Sequence, residues 1–132
     1  MIFLKKHLKK IEAIILTKNE EKVIDALRKL DLGGMSLFIG KGRGRGPRKI
    51  KPGLGRYIER YNDILEIVIV VEDSKVDQVV STIAESAHTG TLGDGKIFIS
   101  TIDKVIDITT KEKVEKISNW IKISLKKRSN LS

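Results

Sequence analysis

The segment Thr89–Ile99, TGTLGDGKIFI, has the residue types needed to hold an anion. Gly90, Gly93 and Gly95 permit tight turns and let backbone amides face a phosphate at close range. Lys96 adds a point charge at the start of a strand, where its position is fixed. The same spacing also describes an ordinary glycine turn joining a helix to a strand, and the residues alone leave both readings open. A second segment, Gly40–Arg56, reads GKGRGRGPRKIKPGLGR. It has three readings: an arm that docks a partner protein, a nucleic-acid arm in which arginine between glycines contacts phosphates, or a solvated loop. No aromatic residue lies between Lys41 and Arg56 to stack on a base, which counts against nucleic acid. The alternating glycines open no helix, so the dinucleotide fingerprint is not met.

The usual catalytic sets are missing from the sequence. His7 and His88 are the only histidines, and His88 follows Ala87 at the end of an expected helix, where a cap or a subunit contact explains it better than catalysis. Ser81 and Ser86 lie on that helix without a nucleophile elbow. The carboxylate pairs Glu20-Glu21 and Glu72-Asp73 sit at helix starts, where the helix dipole accounts for them. No Cys/His/Asp cluster has metal-ligand spacing. No enzymatic activity and no metal site are expected.

The elements that must position these segments follow from periodicity. Lys9–Thr17 is isoleucine-rich and reads as a largely buried strand. Asn19 is suited to cap a helix whose first turn holds Glu20 and Glu21, with Val23, Ala26, Leu27 and Leu30 on its apolar face and Gly33-Gly34 as its stop. Met35–Gly40 is a second strand, followed by the long glycine- and proline-rich loop, which cannot form a regular element. Ile64–Val71 is the strongest strand signal. Asp73 or Ser74 can cap a second helix carrying Val76, Val79, Val80, Ile83 and Ala87 on one face. Lys96–Ile102 is a fourth strand, and Val105–Ile108 a short fifth. Lys111–Lys127 has helical spacing through Val114, Ile117, Ile121 and Leu125; docking on its own domain or a neighbouring subunit suits it better than lying on a membrane, because its apolar stripe is narrow.

Together these predict an α+β fold: a ferredoxin-like βαββαβ sandwich with a long basic loop after the second strand and an added C-terminal helix. All 132 residues form one domain in this reading, with a core of about 9–110 and a helical extension over 111–132. The open face of the sheet is apolar enough to need a cover, which self-association would supply. The chain has no cysteine, which excludes a disulfide framework and a thiolate zinc site and fits a cytoplasmic location. No apolar run is long enough to span a bilayer, and Met1–Lys10 reads as a short extension rather than a signal peptide. The net charge is +9, of which Lys41–Arg60 holds +7. So uneven a distribution assigns an anionic ligand or acidic partner to that segment, not to the whole molecule.

The sequence TG-x-x-GDGKIF resembles the signature of the PII signal-transduction family. KKIEAII resembles the family's opening strand, GGMS and the following G-x-G its second strand and long loop, and ILEIVIVVED its third strand. The likeness runs from about Lys9 to Thr110, with the elements in the same order. It implies a non-enzymatic homotrimer that binds adenine nucleotide (ATP, ADP or AMP) in clefts between subunits and regulates a partner such as an ammonium transporter or a nitrogen-metabolism enzyme. By position, Gly93, Asp94, Gly95 and Lys96 would hold phosphates. Gly42, Gly44 and Arg45 would close over them, and Ser36, Glu66 and Val68 would lie beside the adenosine. Arg43, Arg48, Lys49 and Lys51 would face the partner. The sequence also departs from the family pattern. The usual basic residue between TG and GDG is Thr91, and two arginines after the fourth strand correspond to Asp107 and Thr109, which weakens the case for a triphosphate. The glutamine that helps bind Mg2+ and 2-oxoglutarate corresponds to Gly46, which has no side-chain ligand; this counts against both. Neither Tyr57 nor Tyr61 matches the modifiable tyrosine at the loop tip.

Overall fold

The structure is a computed structural model that describes residues 8–44 and 61–115. Four strands and two helices follow in order: β1 Leu8–Leu16, α1 Glu20–Arg28, β2 Ser36–Gly42, β3 Asn62–Glu72, α2 Val76–Ala87 and β4 Gly95–Ile102. The strands form one antiparallel sheet in the order β2-β3-β1-β4. This is the expected βαββαβ arrangement, with each strand displaced by no more than two residues at either end.

Alternation decides which face is buried. On β1, Ile11, Ala13 and Ile15 point into the core; on β3, Leu65, Ile67, Ile69 and Val71 do so. The helices cover this face with Val23, Ile24 and Leu27 from α1 and Val79, Ile83 and Ala87 from α2. Each of the larger side chains contributes about 2 kcal/mol by leaving water. The residues between them, Lys10, Glu12 and Ile14 on β1 and Glu66, Val68 and Val70 on β3, form the opposite, open face. Directly opposed residues share a face, and Phe38 pairs with Glu66 while Phe98 pairs with Glu12. Two half-exposed phenylalanines therefore flank the open face, one on each edge strand.

Neither helix is capped by a side chain. A single 3-10 turn, Thr17–Asn19 or Asp73–Lys75, leads into each. The expected Asn19 cap is corrected: the turn carries Asn19 inward until it is 6% exposed, and its Nδ2 has no hydrogen-bond partner among the described residues. The helix stop also moves. α1 ends at Arg28, ahead of Gly33-Gly34, because the amides of Lys29 and Leu30 turn back to the carbonyls of Ala26 and Leu27. Leu30 and Leu32 then pack against the core.

Beyond β4 the chain folds into a tight reversal. Ile106 bridges Lys113, and the Val114 amide donates to the Val105 carbonyl at 2.8 Å. The Asp107 carboxylate accepts the amides of Thr109 and Thr110 at 2.8 and 3.0 Å. The expected short strand over Val105–Ile108 is therefore reduced to one bridge. Lys111 sits in the turn with φ 62°, and Val114 is buried. The expected C-terminal helix does not start at Lys111, since residues 111–115 carry this turn and bridge; its remainder lies outside the described residues, as does His7.

Candidate ligand cleft

The residues between α2 and β4 are shaped by Asp94. His88 ends α2 in an extended conformation, and the chain then turns over Thr89–Asp94. The Asp94 carboxylate accepts the backbone amides of Thr89 and Gly90 at 2.8 and 3.1 Å, the Thr89 hydroxyl, and more distantly the Thr91 hydroxyl. The Thr89 hydroxyl and amide, then the Gly90 amide and the nearby His88, hold its pKa down at about 2. Hydrogen bonds to the charged form are the dominant cause. Asp94 thus holds the turn that carries Gly90, Gly93 and Gly95 together.

Gly95 begins β4 at φ +132°, and a Cβ there would stand 2.0 Å from the Ile14 carbonyl oxygen. Close approach of the two strands requires this glycine. Next to it opens a cleft of about 310 Å3. Ile14, Ile15, Ile83, Ala84, Ala87 and Ile97 form its apolar wall; His88, Asp94, Gly95 and Lys96 bring polar groups to it. The glycine-and-lysine segment therefore does border a cavity. Sequence reading missed the apolar wall, although the alternation of the first strand and the helical face of Ile83 and Ala87 both pointed towards it.

The register puts the other expected site residues on the open face in two adjacent rows. One row runs Phe38, Glu66, Ile14, Lys96 across all four strands; the next runs Ser36, Val68, Glu12, Phe98. Ser36, Glu66 and Val68 are thus neighbours on one surface, and Lys96 lies on the same face one strand beyond Ile14. Glu66 lies diagonally across from Glu12 on this face, and the neighbouring Glu12 carboxyl, then partial burial, push the Glu66 pKa above the ordinary carboxylate value, against the pull of Lys10. Lys10 itself pairs with Glu12 at 3.3 Å. This carboxyl pair is not legible in the sequence, because it depends on the register of β1 against β3.

The loop base is not brought to the same place within one chain. Gly42 ends β2 opposite Asn62, at the same end of the sheet as Lys96 but on the other edge. Two strands lie between them, and Gly42 is four residues beyond Phe38, which shares the row of Lys96; the separation is about 14 Å across the sheet and about 13 Å along it at the usual spacings. Gly42 has a packing reason of its own, since a Cβ would meet Ile64 Cγ2 at 2.8 Å, whereas the Gly44 position is open. Arg43 is exposed just before it. Arg45, Arg48, Lys49 and Lys51 lie outside the described residues. Lys41 and Asp63 form an ion pair across the β2–β3 ends.

The sequence model of the family described as Nitrogen regulatory protein P-II matches residues 8–112. This chain belongs to that family. It is 43% identical over 119 residues to nitrogen regulatory protein P-II 2 of Methanothermobacter thermautotrophicus, covering 88% of this chain and 98% of that one. It is 37% identical over 108 residues to nitrogen regulatory protein P-II of Azospirillum brasilense, covering 80% and 96%. Among solved structures it resembles Arabidopsis thaliana PII bound to citrate, with a TM-score of 0.66 and 30% identity over 83% of this chain and 91% of that one. The P-II membership fits the antiparallel sheet with two helices on one face, and the family is one of regulators of nitrogen metabolism. No described helix is long and apolar enough to cross a membrane.

Proposed function

We propose that this chain is a P-II signal-transduction protein that binds adenine nucleotide between the subunits of a homotrimer and regulates a partner protein through its 41–56 loop. The observation that carries the reading is the division of the expected site between opposite edges of one sheet. Lys96 and the Gly93–Gly95 turn stand at the β4 edge and Gly42 at the β2 edge, at the same end. Two copies packed through their open faces unite what one copy separates. The exposed Phe38 and Phe98 give that packing its apolar driving force.

The cleft favours a ligand with an apolar base and few phosphates. Its wall is aliphatic, Lys96 is the cation that borders it, and Asp94 is already spent on its loop. After β4, Asp107 organises a turn where an arginine would serve a triphosphate. ADP or AMP is accordingly preferred over ATP, and Gly46 leaves 2-oxoglutarate and Mg2+ without a side-chain ligand. Citrate on the Arabidopsis relative supports an anionic effector for this fold. Binding then orders or frees the loop, an equilibrium that a ligand shifts only by its different affinity for the two loop states. The partner is a protein of nitrogen metabolism or transport in the cytoplasm. The reading is tested by thermal melting with millimolar ATP, ADP and AMP. A raised melting temperature with at least one, lost in Lys96→Ala, is expected; no change with any of the three sinks it.

A further inference from the structure

The ligand cleft has a histidine at its border. His88 ends α2, and its ring lies beside the turn that leads to β4. Nδ1 is 3.9 Å from the Asp94 carboxylate, and Nε2 is 3.8 Å from where a Cβ on Gly90 would be. The side chain is 73% exposed, yet it lines the same cleft as Gly95 and Lys96. The charged groups on the elements around it are three. The turn supplies Asp94, whose bonds to Thr89 and Gly90 keep it ionised down to about pH 2. β4 supplies Lys96, and the last turn of α2 supplies the exposed Glu85. β1 brings only Ile14 and Ile15 to the cleft.

We propose that His88 is a phosphate-binding residue of this cleft, whose charged ring adds a second cation to Lys96 and couples nucleotide binding to uptake of a proton. The proposal rests on the nucleotide reading above. A neutral imidazole carries one N–H and one lone pair, whereas the charged ring donates from both nitrogens. Nδ1 is the nitrogen that faces Asp94, so Nε2 is the one left for a ligand. Uncharged, with its proton towards Asp94, the ring would turn the Nε2 lone pair to a phosphate oxygen, which also accepts. Charged, it donates from Nε2, and charge-assisted hydrogen bonds are the stronger kind. Of the groups that line the cleft, Asp94 and Lys96 sum to zero charge, and an imidazolium at His88 makes the sum plus one. Bound phosphate therefore favours the proton on His88, and by linkage the proton favours bound phosphate to the same degree. That contribution is present at low pH and is lost as pH rises through the range in which an imidazole gives up its proton.

The experiment is calorimetric titration of the full chain with ADP from about pH 6 to about pH 8, on the parent and on His88→Gln. The side chain is mostly exposed, so the substitution leaves the fold intact. The terminal phosphate of the nucleotide itself titrates at about pH 6, so the two proteins are compared with each other at each pH. At the acid end the parent should bind ADP about tenfold tighter than His88→Gln, and at the alkaline end the two should agree within about twofold. At about pH 7 the binding heat of the parent should depend on the ionisation enthalpy of the buffer more steeply than that of His88→Gln, which reads the proton taken up. Equal ADP binding by the two proteins at every pH overturns the inference and leaves the nucleotide reading standing. A deficit in His88→Gln of the same size at every pH does likewise, because it marks lost shape rather than lost charge. No binding of ADP, AMP or ATP by the parent at any pH overturns both.

Discussion

At the scale of single residues, three positions carry roles that their types alone did not disclose. Gly95 was readable as an amide donor to an anion, but its larger constraint is the Ile14 carbonyl 2.0 Å from where a Cβ would be. That neighbour is some eighty residues away in sequence, so no local pattern reveals it. Gly95→Ala should destabilise the protein by about 3 kcal/mol or more, measured by urea denaturation. Asp94 should contribute stability that is fully present above the ordinary carboxylate value of 3.8 and lost as pH falls through about 2. The difference in melting temperature between the parent and Asp94→Asn should shrink across that window; a constant difference would mean the carboxylate bonds do not matter. Lys111 holds a left-handed φ of 62°, a conformation that costs an ordinary residue about 1 kcal/mol. Lys111→Gly keeps the amide bond to the Asp107 carbonyl and should raise stability by up to about 1 kcal/mol, read from the urea midpoint.

At the scale of elements, strand and helix periodicity was legible because burial is one-sided. Ile11, Ala13 and Ile15 alternate with Lys10, Glu12 and Ile14, and α2 presents Val79, Ile83 and Ala87 on one face. The ends were less legible, because they are set by tertiary packing. Asn19 has the chemistry of a cap, yet the core takes it; Gly33-Gly34 has the chemistry of a stop, yet α1 has already turned at Arg28. The cleft wall depends on α2 lying against β1 and β4, which leaves Ile83 1% exposed. Ile83→Ala should cost about 3 kcal/mol in urea denaturation. It should also weaken nucleotide binding, since Ile83 is shared by core and cleft. Retained affinity in a folded Ile83→Ala protein would separate the cleft from the ligand site.

At the scale of the whole molecule, the proposed ligand site is divided between the two edges of one sheet. The glycine turn with Lys96 stands at one edge of the sheet and the base of the basic loop at the other, and both borders end at the same side. The family likeness and the residues at each edge were visible in the sequence. The separation of the edges was not, because strand order is a tertiary property. Charge follows the same division: the segment of net charge +7, Lys41–Arg60, begins on β2, the edge strand far from Lys96. The most direct measurement is calorimetric titration of the protein with ATP, ADP and AMP, combined with its mass in solution. A trimer that takes up one ADP or AMP per chain, with ATP the weaker, is predicted. A protein of any mass that gives no binding heat with all three nucleotides would contradict the central claim.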